Sequence, residues 1–281
     1  MAKKKKRNLK PGDVLYPIFL TPDMHIHISK GNEKVGQDIY CLNLLPGADH
    51  LVLSDGTVLT NVKGSCTGCS QYCENDCYAI RDGKRHHNSC IIPWAENTLL
   101  VRYKLDVFLA EFVEYCKRML VPFIRVHSAG EFMTYEHFKK FADTMRDNPW
   151  IYLAYAYTKR EKWVNKYIKE NHLEEYVRKF HRIYQNFVVL ISRWNEWREN
   201  KYGCPIFVYD DGSNPDLNRR PHCPAVNKDG TKTGMTCQVC KGCPNGISRC
   251  VYDHSAKAIA KVNAAKAKAK KFTETHPFPK E

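Results

Sequence analysis

The sequence predicts an α/β fold, an incomplete parallel β/α barrel with cysteine-rich metal-binding loops. Three observations lead there. Short apolar runs at residues 121–126, 150–156 and 187–191 alternate with longer helical patterns. Those runs lie far enough apart for the crossover helices that parallel strands require. Polar residues gather just after each run, where parallel α/β folds place their chemistry. An open α/β sheet is the structural alternative. The 281 residues, 43% hydrophobic and 12% aromatic, hold ample apolar side chain for a core and exclude a disordered chain.

Residues 1–10 hold five Lys and one Arg with no acid, and read as a flexible basic tail. Residues 11–62 read as a small extended or hairpin segment, with candidate strands at 14–20 and 39–45. Asp55-Gly56 supplies a hairpin turn, because both residue types tolerate left-handed backbone. The segment is expected to form an antiparallel addition or an edge.

Residues 63–254 read as the barrel-like domain, including a cysteine-rich segment towards its C-terminal end. Beyond Pro93 a long helix presents Leu99, Leu105, Phe108, Leu109, Phe112, Val113 and Cys116 along one apolar face. Thr134 is placed to cap a second helix that buries Phe138, Phe141 and Met145. Residues 161–180 form a third helical pattern, and 206–209 a later strand. Both faces of the resulting sheet are expected to be covered. Residues 255–281 form a second basic tail, rich in Ala and Lys and able to become helical.

The formal net charge is +14, of which the two tails hold +6 and +5, so the body carries only +3. Basic tails attract polyanions without reading sequence, so nonspecific nucleic-acid contact is an expected partner role. No apolar window is long enough for a membrane span and no secretory leader is visible, so the expected setting is the cytoplasm. Glycine-rich dinucleotide and phosphate loops are absent, as is an HExxH motif.

Thirteen cysteines in a reducing compartment point to ligands rather than disulfides, and an odd number cannot pair completely. Cys66, Cys69, Cys73 and Cys77 fall within twelve residues. Cys237, Cys240 and Cys243 follow a CxxCxxC spacing, with Cys223 and Cys250 as remote candidates. Soft thiolates suit iron–sulfur clusters and zinc. Pro224 and Pro244, each following a cysteine, locally resemble bacterial ferredoxins and favour iron–sulfur. The expectation is one or two clusters of the 4Fe-4S kind, with zinc as the alternative. Spacing names the candidate ligands without dividing them between centres. Cys116 and Cys41 read as packing residues, while Cys90 is open between packing and ligation.

The strand ends supply the remaining candidates. Arg125 can engage an anionic group, His127 can transfer a proton, and Glu131 can orient His127 or hold substrate. Tyr157, Thr158, Ser192 and Arg193 are pocket candidates. Trp194 and Trp197 beside Arg193 and Arg198 offer a stacking surface for nucleic acid.

Cys73, Cys77, Tyr78 and Ala79, then Arg125, His127, Gly130, Glu131 and Phe132, then residues 155–159, and finally Cys223-Pro224-Ala225 with Cys237, Cys240 and Cys243, resemble an uncharacterised family of phage proteins, the gene product 88 family. The resemblance spans about residues 64–254. It implies a barrel similar to that of radical-SAM enzymes, cysteine-bound iron–sulfur chemistry, and a place in the cytoplasm of a phage-infected bacterium. It supplies no substrate. The usual radical-SAM CxxxCxxC spacing is absent from the first cysteine group, which has Cys69-x3-Cys73-x3-Cys77. The expected function is a redox-active iron–sulfur protein with a small-molecule pocket and an electron donor. SAM-dependent chemistry and a metal-stabilised nucleic-acid-binding or structural role are the alternatives.

Overall fold

The computed structural model describes residues 10–31, 35–69, 73–74 and 77–252. The basic tails, Lys10 aside, lie outside the described residues. The main sheet has seven strands: β2 (Ile28–Ser29), β3 (Ile39–Leu42), β5 (Phe123–Val126), β6 (Ala154–Thr158), β7 (Phe187–Trp194), β8 (Ile206–Asp210) and β9 (Arg249–Tyr252). Their spatial order follows the chain, and every pairing except β2 with β3 is parallel. A separate pair, β1 (Val14–Tyr16) and β4 (Val58–Thr60), is also parallel.

That order explains the layering. Right-handed crossovers that always step in one direction place every helix on one face of the sheet. Helices α1 (Tyr78–Arg85), α2 (His87–Tyr103), α3 (Leu105–Met119), α4 (Tyr135–Asp147), α5 (Glu161–Glu170) and α6 (Glu174–Phe180) follow this rule where they build the core. Phe108, Phe112, Phe138, Phe141 and Tyr167 bury themselves in one cluster with Leu42, Ile124, Ala156, Val189 and Val208. Each fully buried aromatic contributes about 1.5–3 kcal/mol.

The opposite face differs from expectation. No helical layer covers it among the described residues. Ile39, Cys41, Tyr155, Val188 and Leu190 form a smaller cluster there, against which Cys237 and Cys243 pack. The cysteine-rich segment between β8 and β9 supplies this cover. The short helix α7 (Cys237–Cys240) begins at Thr236, whose hydroxyl accepts from the Val239 amide. The Gln238 amide donates to the Val35 carbonyl at 2.9 Å, and the Gln238 side chain bonds Asp38. These contacts pin the segment beside the start of β3.

Several elements depart from the sequence reading. The expected antiparallel edge is present as the β2–β3 pair, but β3 also pairs parallel with β5, Ile39 opposite Phe123, so residues 39–42 belong to the main sheet. The hairpin at Asp55-Gly56 stands, with Gly56 at φ +85, Val52 bridged antiparallel to Val58 and the Leu59 amide donating to the Leu51 carbonyl at 2.7 Å, and β4 joins β1 as well. The long helix begins at His87, so Pro93 lies inside it, and the path breaks at Lys104. Residues 161–180 form two helices, separated where the Leu173 amide reaches back to the Ile168 carbonyl. β6 begins at Ala154 because Ile151 turns back on the Asn148 carbonyl, leaving Trp150 and Tyr152 exposed. Thr134 does cap α4, its hydroxyl accepting from the His137 amide at 3.0 Å. No helix of the described residues is long and apolar enough to cross a membrane.

Candidate functional site

The first cysteine loop is seated by backbone. The Ser65 amide donates to the Leu45 carbonyl at 2.8 Å and the Cys66 amide to the Gly47 carbonyl at 2.9 Å. Ser65 is fully buried, and its hydroxyl donates to Leu45 while accepting from the Glu131 amide. Glu131 in turn accepts from the Thr158 hydroxyl and the Phe132 amide through Oε1, and from the Lys159 amide through Oε2. This chain of bonds ties the cysteine loop to the carboxyl ends of β5 and β6.

Beyond those strand ends lies a cavity of about 380 Å³. Cys66, Cys69, Cys73 and Cys77 line it on one side, and Arg125, Tyr157, Ser192 and Phe207 on the other. A second cavity, about 200 Å³, shares Cys73, Cys77, Arg125 and Tyr157 and adds Cys223, Cys237 and Cys243. The two cysteine sets therefore face each other across Arg125 and Tyr157. Cys240 lies aside near Gly242 and Arg249, and lines neither cavity. Cys250 is fully buried in the main core, on the opposite side of β9 from Val251, which lines the second cavity. Cys41, read as a packing residue, proves to share the sheet face on which Cys237 and Cys243 pack. Cys116 is core.

None of the thirteen cysteines forms a disulfide. Burial pushes the Cys66 and Cys243 thiols up to about 12, Glu131 adding to the effect at Cys66. Among the described residues no three His, Cys, Asp or Glu side chains close on one point as a metal-holding group. The thiols instead line the walls of the cavities.

Cations surround them. The Arg125 guanidinium lies 4.8 Å over the Tyr157 ring and donates to the Tyr78 hydroxyl at 3.3 Å. It has no carboxylate partner among the described residues, and its Nε is buried without a hydrogen bond. The same holds for the Nε of Arg160, beside the first loop, and of Arg249, beside the second. Lys159 is exposed as a residue, and the Cys73 thiol and Glu131 hold its ammonium above its ordinary value against the desolvation that acts to lower it. Arg81 reaches the second cavity, whereas Lys84 and Arg85 are exposed in the last turn of α1.

The expected catalytic group changes in detail. Glu131 does not orient His127, because both its oxygens serve Phe132, Thr158 and Lys159. The His127 ring is packed edge-on against Phe132 at 4.4 Å and near His137 at 5.2 Å, with neither ring nitrogen hydrogen-bonded. Burial, helped by His137, holds it well below the usual histidine range. The ring thus lines the first cavity as a neutral, packed imidazole, and Glu131 lines it as well. Thr158 points to Glu131 rather than into a cavity, whereas Arg193 lines the second cavity with its guanidinium held by Glu161 at 2.8 Å. Arg125, Tyr157 and Ser192 do reach the cavity. Trp194 stacks on Tyr209 at 4.3 Å and Trp197 lies under Arg220, so internal partners occupy these expected stacking faces.

Ser65, Arg160 and Arg249 escaped the sequence reading. Ser65 had a signal, a small polar residue between Gly64 and Cys66; the two arginines had none beyond their charge.

The buried histidines set an acid limit. Burial depresses His137 to about 3 and His127 well below 6.5. Below pH 6.5 the unfolded chain therefore binds protons that the folded chain does not, and stability falls as pH falls. Each histidine contributes about 1.4 kcal/mol per pH unit over that window. Urea midpoints measured between pH 7 and 5 should fall steeply, and His137→Gln should lessen the slope.

The Gene product 88 family model matches residues 27–246, and the chain belongs to that family. No curated protein and no solved structure matches it.

Proposed function

We propose that this gene product 88 family member is an iron–sulfur protein, redox-active, with a small-molecule pocket at the mouth of an incomplete barrel. One observation carries the reading: two cysteine loops distant in sequence line adjoining cavities, among guanidinium groups that lack acidic partners. These arginines are half-buried, and a guanidinium nitrogen buried without an acceptor is costly unless an accepting or negative group completes the site. A four-iron cubane held by thiolates is such a group.

The donor set fits. The first centre would draw on Cys66, Cys69, Cys73 and Cys77, and the second on Cys223, Cys237 and Cys243. Pro224 and Pro244, each following a cysteine of the second group, favour clusters over zinc. When bound, such a cluster supplies one electron at a time at a potential set by charge, burial and hydrogen bonds. The chain's own residues set those terms. Arg125, Arg160, Arg249 and Lys159 lower the cost of negative charge. Tyr157, hydrogen-bonded to Cys243, withdraws charge from that sulfur. Tyr78, bonded to the Ser128 carbonyl, covers one wall of the first cavity from water.

Strand order supports the incomplete barrel, since a sheet wound in one direction with all helices outside is how barrels begin. The expected setting is the cytoplasm of a phage-infected host, with an electron donor there. Anaerobic purification with iron, sulfide and zinc measured per chain tests the proposal, joined to paramagnetic resonance after reduction. Iron and sulfide in near-equal amounts and a reduced-state signal are expected. Folded protein with zinc alone would reject it. A change of the signal on adding SAM would move the reading to SAM-dependent chemistry.

A further inference from the structure

Behind Tyr78 lies a third cavity that the cysteines of the two loops do not line. It measures about 620 Å³ and opens between β2, β3 and the α1–α2 corner. Its mouth carries exposed Lys30 and Asp82, its wall carries Trp94, and its floor carries Arg125 and Ser128. Two polar atoms on this floor are buried and unpartnered, Arg125 Nε and Ser128 Oγ. Tyr78, Arg125 and Ser128 belong also to the wall of the first cysteine cavity, so the two spaces adjoin through one layer of side chains.

Each group restricts the occupant. A guanidinium beside an unused hydroxyl accommodates a carboxylate or phosphate, which can accept from both. Lys30 at the entrance adds long-range attraction for the same charge. The half-buried Trp94 indole offers a flat apolar surface. Asp82, with no ion pair among the described residues, is free to accept from a donor on the far end of the molecule.

We infer that this cavity is a binding site for a small aromatic or flat apolar molecule bearing one carboxylate or phosphate, its anionic end on Arg125 and Ser128 and its body against Trp94. The inference deepens the function proposed above, since it places the small molecule one residue layer from the first cysteine cavity. Binding itself needs no metal, so the two readings fail separately.

Benzoate, phenyl phosphate and neutral benzyl alcohol serve as probes, titrated against the full chain with tryptophan fluorescence as the readout. Saturable binding of at least one anion, about tenfold or more tighter than the alcohol, is expected. Preference between benzoate and phenyl phosphate identifies the anionic group. Trp94→Phe should remove the fluorescence change. Lys30→Ala, on the surface and away from both cysteine loops, should weaken anion binding about threefold to tenfold while iron content stays the same. Ser128→Ala should weaken it as well. Absence of saturation by either anion, equal affinity for the alcohol, or an unchanged signal in Trp94→Phe would overturn the site. Iron measured on the same samples reports the cluster reading independently.

Discussion

Cys77→Ala should lose the visible iron absorption and at least half of the iron bound per chain, while Cys250→Ala retains both. The two residues look alike in sequence, each a cysteine next to basic or aromatic neighbours in a cysteine-rich stretch. The fold separates them. Cys77 lines both cysteine cavities, next to the Tyr78 that bonds Arg125. Cys250 sits mid-strand in β9 opposite Val208, sealed in the core with the helices. Its removal deletes a small apolar group and should cost about 1–2 kcal/mol with no change in metal. Removing Cys77 takes away a ligand whose binding energy also holds its loop in place. Metal analysis and urea unfolding of both variants give opposite patterns. Equal iron in the two would remove Cys77 from the ligand set.

That contrast shows where sequence reasoning stopped. Helices with broad apolar faces were legible because burial of one stripe repeats every 3.6 residues, and Phe138, Phe141 and Met145 landed in the core as expected. The strand after residue 121 was legible from its apolar run. β9 was not, because Arg249 and Tyr252 give it only two strongly apolar positions and its pairing with β8 depends on tertiary contact. The site shows the same limit. Cysteine spacing marked the loops, and strand ends marked Arg125, Tyr157 and Ser192. Spacing carried no information on which side of β9 a thiol falls, nor on the partner a carboxylate selects. Glu131 therefore read as a companion of His127, although the buried Thr158 hydroxyl and the Lys159 amide claim it.

The cysteine loop is held by close backbone approach, and that leads to the second large effect. A Cβ added at Gly64 would lie 2.1 Å from the Gly47 carbonyl oxygen and 2.5 Å from that of Pro46, both main-chain atoms that cannot swing aside. Gly130 faces the same junction from β5: at φ +86, its added Cβ would meet Leu44 Cβ and Ser65 Oγ, each at 2.6 Å. Gly64→Ala must therefore lift the loop off residues 45–47, breaking the Ser65 and Cys66 amide bonds and leaving the buried Ser65 hydroxyl without its carbonyl acceptor. Two hydrogen bonds and one buried polar group together predict a loss of about 3 kcal/mol or more. Gly12→Ala is the comparison: its backbone is left-handed, at φ +90, but it has open space around it, so only the conformational penalty of about 1 kcal/mol applies. If the proposed cluster is built on a seated loop, Gly64→Ala should also lower iron content although every cysteine is retained, and Gly12→Ala should not. Chemical unfolding and iron content measured together separate these outcomes. Full stability in Gly64→Ala would mean that the loop is not anchored on the end of β3, and the link from strand to thiols would fall with it.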